Sequence, residues 1–293
     1  MAEEWPEERR QMAAGAMHTG YYVGFFLAAI ANYTIGARWG WRAMFALGGT
    51  PALLVAFIRY GVAESKRWQS RRVDQGRPWT MGRAFLALFS PRLRRRTVLN
   101  CVYILVSIIG LWAGSVYVPA AVTFLATRAG YAAPQSARLA SFATMLLSVG
   151  TILGCLALPL LAERFGRRVT LGIFFVLMFV FIALGFGYAF YLERGALRAF
   201  LVCLFFLGVG GANFAMYTLW LPEQYPTECR ASAFAFTTSV GRFVGAGVTF
   251  LVGAGVARFH TIGIPVALTS IAFLVGLLLL PFGEETRGRP LPA

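Results

Sequence analysis

Eight stretches of this chain are each long and apolar enough to cross the hydrocarbon core of a bilayer, which takes roughly 20 residues at 1.5 Å of helical rise. They run from about Gln11–Ile35, Trp41–Tyr60, Thr97–Ala126, Gln135–Ala162, Val169–Leu192, Leu197–Leu221, Ala231–Ala257 and Ile262–Phe282. The runs are continuous rather than alternating, so helices are expected and not barrel strands. Charged residues make up 13% of the chain and hydrophobic ones 58%, whereas soluble domains carry about 25% charged residues. Such a chain cannot cover a water-facing surface, which excludes a soluble enzyme and a disordered tail. The reading is an all-α polytopic membrane protein. The acidic opening from Glu3 to Glu8 is unlike a cleavable signal peptide, which begins with basic residues.

The net charge of +15 would suit nucleic acid if the basic residues were spread evenly. They are not. Ten lie between Lys66 and Arg96, in the connection between the second and third runs. With that loop inside, 19 of the 27 Lys and Arg fall on the cytoplasmic side and seven outside, and Arg242 lies within a span. The positive-inside rule accounts for this without nucleic acid, and it places both termini in the cytoplasm of a plasma (inner) membrane protein. Within the loop, Pro78–Phe89 sets Trp79, Phe85, Leu86, Leu88 and Phe89 beside Arg83. That pattern suits a helix lying on the inner leaflet, the alternative being a plain linker. Cys101, Cys155, Cys203 and Cys229 are too far apart for a metal site and read as small hydrophobes. No Ser-His-Asp set, Walker motif or dinucleotide loop occurs, so neither an enzyme nor an ATP-driven pump is expected, and no cofactor or metal.

The chain repeats itself at a spacing near 220 residues. Pro6, Glu8 and Arg10 before the first span match Pro226, Glu228 and Arg230 before the seventh. Gly20 and Gly24 align with Gly241 and Gly245, and Glu64–Arg67 mirrors Glu285–Gly288. Parallel repeats of this kind mark transporters built from two halves. The hairpin Glu163–Arg168 has no first-half partner within the chain, so a twelve-span protein that lacks its first four helices is expected.

Three loop sequences, Glu163-Arg164-Phe165-Gly166-Arg167-Arg168, Pro222-Glu223-Gln224-Tyr225-Pro226-Thr227-Glu228-Cys229-Arg230 and Glu285-Thr286-Arg287-Gly288-Arg289-Pro290-Leu291, resemble the signatures of the major facilitator superfamily. Its sugar-porter and metabolite–proton symporter branches are the most similar. The resemblance covers the whole chain as helices 5–12 of 12. Pro159 stands where that hairpin usually begins with Gly, and Glu163 replaces the usual Asp, which weakens the motif's glycine contact while keeping its carboxylate. The resemblance implies residues 1–60 as the last two helices of the first half and 61–96 as the loop between halves. Residues 97–283 form the six-helix second half and 284–293 the tail.

It also implies which residues carry function. Glu163, Arg164, Gly166, Arg167 and Arg168, with Glu228 and Arg230 and their counterparts Glu8 and Arg10, would form the gating seam, with Glu163 near Arg9 and Arg10. Asn100, Tyr103 and Ser107 share one helical face, as do Asn213, Tyr217 and Trp220. These stripes fall on cavity-lining helices of the family and are substrate contacts or interhelical glue. Arg242, near the bilayer midplane, is an anion-binding group or a structural ion pair, with Tyr21 facing it across the cavity. Ser141, Thr144, Ser148 and Thr151 suggest a helix contact, the two Gly-xxx-Gly pairs suggest close approach, and the all-apolar span from Leu171 to Phe190 should face lipid. His18 reads as structural or proton-coupling. The expected function is secondary transport of a small metabolite, an organic anion, by proton symport and alternating access in a monomer. A sugar transporter or an amphipathic-compound exporter of the same superfamily, or a non-transporting fragment, are the alternatives.

Overall fold

A computed structural model describes residues 9–52, 54–55 and 81–292. The described residues contain helices and turns but no strand. Long apolar runs leave backbone polar groups no partner except their own helix, so the helix is the only open-chain solution in a bilayer. The helices are α1 (Arg10–Ala31), α2 (Ala37–Gly49), the short α3 (Met81–Ala87), α4 (Arg94–Arg128), α5 (Ala133–Phe165), α6 (Arg167–Tyr191), α7 (Ala196–Trp220), α8 (Thr227–Phe259) and α9 (Gly263–Phe282).

Six of these, α4 to α9, are long and apolar enough to span a membrane; eight such spans are expected from the sequence. The first expected span is a helix of 22 residues, but His18, Thr19, Tyr21 and Tyr22 dilute its apolar character. The second is described only to residue 55, and in α2 Gly40 (φ 78°) breaks the helical path. The fold is thus a helical membrane bundle with six apolar spans among the described residues. Within the segment expected to lie at the interface there is the short helix α3; its Phe85, and Phe89 just beyond it, both meet Phe236 of α8 edge-on at 5.3 Å. Positions 78–80 lie outside the described residues.

In the bundle, α5 lies against α1, α4 and α7, while α6 fits between α7 and α9, and α8 packs on α4. The chain runs alternately up and down. The starts of α4, α6 and α8 therefore meet the ends of α5, α7 and α9 at one end of the molecule. The core is aromatic: Trp220, Tyr103, Tyr217, Phe174, Phe175, Phe200 and Phe273 are fully buried. The outer face is also apolar, with Val176, Phe243, Phe250 and Leu278 exposed, as expected where the solvent is hydrocarbon. This explains α6, which is apolar all round but does not simply face lipid. Leu171, Phe174, Phe175 and Met178 pack inward, while Val169, Val176, Leu184, Tyr188 and Tyr191 are exposed.

Close helix approach is set by glycines, though not all those singled out from spacing. A side chain at Gly241 or Gly245 would strike Ile104 and Ile108 of α4, as a small-residue pair should. Gly20 and Gly24 have nothing within 4 Å. On α1 the contact is made instead by Gly15, whose added Cβ would lie 2.8 Å from the Cys155 carbonyl and 3.1 Å from Pro159. The proline in α5 is thus matched by a glycine across the interface.

Candidate functional site

At the end of the bundle where the loops gather, α5 stops at Phe165 and α6 starts at Arg167, with one residue between them. Gly166 makes this reversal at φ 84°, a backbone region that costs a side chain dearly. Four backbone N–H groups, at Arg167, Arg168, Thr286 and Arg287, donate to the Glu285 carboxylate at 3.0–3.2 Å. The carboxylate therefore sits on the positive end of α6. Burial alone would raise its pKa; the N–H groups of Arg167, Arg168 and Arg287 and the Arg167 guanidinium outweigh that and hold it below the ordinary glutamate value.

Beside it, Arg167 is almost sealed from water at 3% exposure and grips Glu223, at 5%, through two parallel bonds of 2.9 and 2.7 Å. The Arg167 guanidinium also donates to the Ala162 carbonyl, and the Thr286 hydroxyl donates to Glu223 at 2.5 Å. One ion-pair network so joins the α5–α6 turn, the α7–α8 loop and the tail. Arg230 holds the Pro222 and Tyr225 carbonyls and reaches Pro292. Of the expected seam residues, Gly166, Arg167, Arg168 and Arg230 come together here. Glu163 and Arg164 are exposed, and Glu163 has no ion pair among the described residues; the Arg164 carbonyl accepts from Arg287. Glu228 opens α8 in its first turn. Glu8 lies outside the described residues, as does the side chain of Arg10. Glu223, Glu285 and Thr286 are the members that sequence reasoning missed, although they lie in the quoted loop sequences.

The two polar stripes meet each other. Tyr217 donates to the Tyr103 carbonyl at 2.7 Å and is bonded to Ser107 at 2.8 Å. Trp220 stacks on Tyr103 with ring centres 5.8 Å apart, and Tyr103 in turn donates to the Leu279 carbonyl. Asn100 donates to Gln224 and Tyr225. All are buried. They form a closed ladder between α4 and α7 that ends in the loop network. Asn213 donates to the Gly210 carbonyl and leaves its own buried oxygen without a partner among the described residues. The hydroxyls of Ser141, Thr144, Ser148 and Thr151 bond back to carbonyls in their own helix, and Ser141 also accepts from Asn32 after α1.

A cavity of about 140 Å³ opens where α1 meets α4 to α7. Its wall is aromatic and small by turns: Tyr21, Tyr22, Phe25 and Trp112 alternate with Gly110, Gly208 and Gly211, and Leu111, Leu147, Thr151, Met178 and Leu207 complete it. Among the described residues, no charged one lines it. Tyr22 donates to the Gly211 carbonyl at 3.4 Å and so ties α1 to α7. His18, on the same helix, meets Thr218 at 3.5 Å. Tyr21 is on the cavity wall; Arg242 is not, and stands exposed midway along α8, the least buried of the six spans.

Comparison with known proteins places this architecture in a family. The family model of the Major Facilitator Superfamily matches residues 1–247. The chain is 30% identical to the "Probable 4-methylmuconolactone transporter" of Cupriavidus pinatubonensis, over 98% of its own length and 64% of that protein's. It is 28% identical to the inner membrane metabolite transport protein YgcS of Escherichia coli, over 100% of its length and 67% of the relative's. It is 25% identical to the niacin transporter NiaP of Acinetobacter baylyi, over 92% and 64%. The chain thus spans about two thirds of the length of these relatives. It belongs to the major facilitator superfamily.

Proposed function

We propose that this member of the major facilitator superfamily carries a small unsaturated organic acid across the inner membrane by alternating access and proton symport, with the cavity between α1 and α4–α7 as its ligand site. The cavity is the observation that carries the reading. At about 140 Å³ it is close to the roughly 150 Å³ at which an apolar cavity takes up benzene. One planar ring or conjugated chain fits, and a disaccharide does not. The aromatic walls favour stacking on such a group. Relatives named for a muconolactone and for niacin are named for ligands of that size.

The carboxylate of such a ligand needs a cation, and none lines the cavity among the described residues. A midplane arginine costs roughly 2.5–3.5 kcal/mol on insertion scales, so the Arg242 guanidinium itself meets water or protein rather than lipid. Arg242 is the proposed counter-charge, and Tyr21 the hydrogen-bonding group on the opposite wall. The stripes on α4 and α7 serve the site indirectly, by locking those two helices together.

Motion is proposed at the α1 seam. Residues 97–283 move as one body, braced by Arg167, Glu223 and Glu285, against residues 1–60, with residues 61–96 as the cytoplasmic link and 284–293 as the tail. Cys155, Pro159 and Glu163 recur every four residues and share a face of α5. Glu163 therefore lies one turn beyond the Gly15 contact, where a basic residue at the start of α1 would latch it. Reconstituted into liposomes with an acidic exterior, the chain should accumulate labelled nicotinate or cis,cis-muconate. A protonophore should abolish the uptake, and Arg242→Ala should nearly abolish it. Correctly inserted protein that accumulates neither acid would defeat the proposal.

A further inference from the structure

At the loop-bearing end of the bundle a second cavity, of about 400 Å³, opens between the start of α4, the α7–α8 loop and the end of α9. Arg92, Arg95 and Arg96 line it, against one carboxylate, Glu284. That carboxylate is already taken, by Arg96 Nε at 2.5 Å and by Arg289 at 3.0 Å. Arg92 and Arg95 have no hydrogen bond or ion pair among the described residues and are left as surplus positive charge. Pro281 lines this cavity and also a long apolar groove of about 650 Å³ between α6 and α9. Gly172, Val176 and Leu277 form the groove wall, and Arg168 stands in its lining. Arg168 bonds the Pro281 carbonyl, yet its buried Nε finds no acceptor within hydrogen-bond distance, Glu285 being 3.8 Å away. A cationic polar pocket thus adjoins an apolar furrow, with Arg168 as its one charged lining residue among the described residues, on the outer surface of a membrane protein. Neither feature belongs to the ligand cavity.

We propose that the pocket and groove together hold one anionic phospholipid, with its phosphate among Arg92, Arg95 and Arg168 and an acyl chain along α6 and α9. The chemistry recognised is a phosphate monoanion. Arginines offer it paired N–H donors, and a basic pocket at the edge of a helical bundle concentrates anionic headgroups. A lipid explains both halves of the site, whereas free phosphate explains only the first.

The test uses the full chain, delipidated in neutral detergent and followed by native mass spectrometry and thermal unfolding. Phosphatidylglycerol should remain bound and raise the melting temperature, while phosphatidylcholine should do neither. Retention should fall about tenfold in R92Q/R95Q, whose unfolding without lipid should match the wild type, since a contact on the native state alone shifts stability by mass action. Val176→Trp, which fills the groove, should weaken phosphatidylglycerol retention with the arginines intact. Equal retention by wild type and R92Q/R95Q would overturn the site, as would phosphatidylcholine retained as well as phosphatidylglycerol. If inorganic phosphate alone reproduced the full stabilisation and R92Q/R95Q removed it, the ligand would be free phosphate and the lipid proposal would be wrong.

Discussion

Arg167 and Glu223 form the best-sealed ion pair at the loop end, and neither has water to fall back on if its partner is lost. Removing one member of such a pair typically costs ~3–5 kcal/mol, because it strands the other charge. Glu223→Gln should therefore lower the melting temperature sharply, and Arg167→Lys should do so too, since lysine keeps the charge but loses the fork. Glu285 acts differently, through pH. Its pKa is held down in the folded state, so its contribution is complete above the ordinary glutamate range and disappears as pH falls through the lower folded value. The wild type should thus lose stability below about pH 4.5, while Glu285→Gln should be less stable at neutral pH and flatter across that acid window. Equal acid sensitivity of the two would contradict the capping role. At this scale the three loop sequences were legible, and the carboxylates that pair within them, Glu223 and Glu285, were not. Glu163 stands next to the Arg-Phe-Gly-Arg-Arg turn, but the partner that reaches Arg167 comes from a loop 56 residues away. Sequence spacing carries no record of that approach.

Helices were the most legible part, because their apolar runs are long and a bilayer permits little else. Helical faces were legible too. The stripes Asn100–Tyr103–Ser107 and Asn213–Tyr217–Trp220 are each real faces of α4 and α7. That they turn toward each other, so that Tyr217 bonds both Ser107 and the Tyr103 backbone, depends on the pairing of helices and could not be read from either alone. The small-residue pairs show the same limit. Gly241 and Gly245 contact α4, but Gly20 and Gly24 face open space, and the seam with α5 runs over Gly15. Forcing a side chain into such a contact commonly costs ~1–3 kcal/mol. Gly15→Leu should lengthen the distance between spin labels at Met12 and Leu160, both exposed positions, and Gly20→Leu should leave it unchanged. The opposite ranking would place the seam elsewhere on α1.

For the whole molecule, the account turns on a cavity that exists only because α1 lies against α5 and α7. Its twelve wall residues come from five helices, and the sequence pointed to few of them and for other reasons: Tyr21 opposite Arg242, and Thr151 as a helix contact. Arg242 drew attention because a charge in an apolar run is conspicuous, whereas Trp112, Phe25 and Gly211 look like ordinary membrane-helix residues until they converge. Fold and family were therefore readable, and the cavity proposed as the ligand site was not. The most direct measurement is calorimetric titration of the purified chain with nicotinate and cis,cis-muconate, repeated on Trp112→Ala and on Phe250→Ala, a change on the exposed face of α8. The account predicts binding that Trp112→Ala weakens about tenfold, the equivalent of ~1.4 kcal/mol of lost stacking, and that Phe250→Ala leaves unchanged. Folded protein that binds neither acid, or binds both equally well without Trp112, would contradict it.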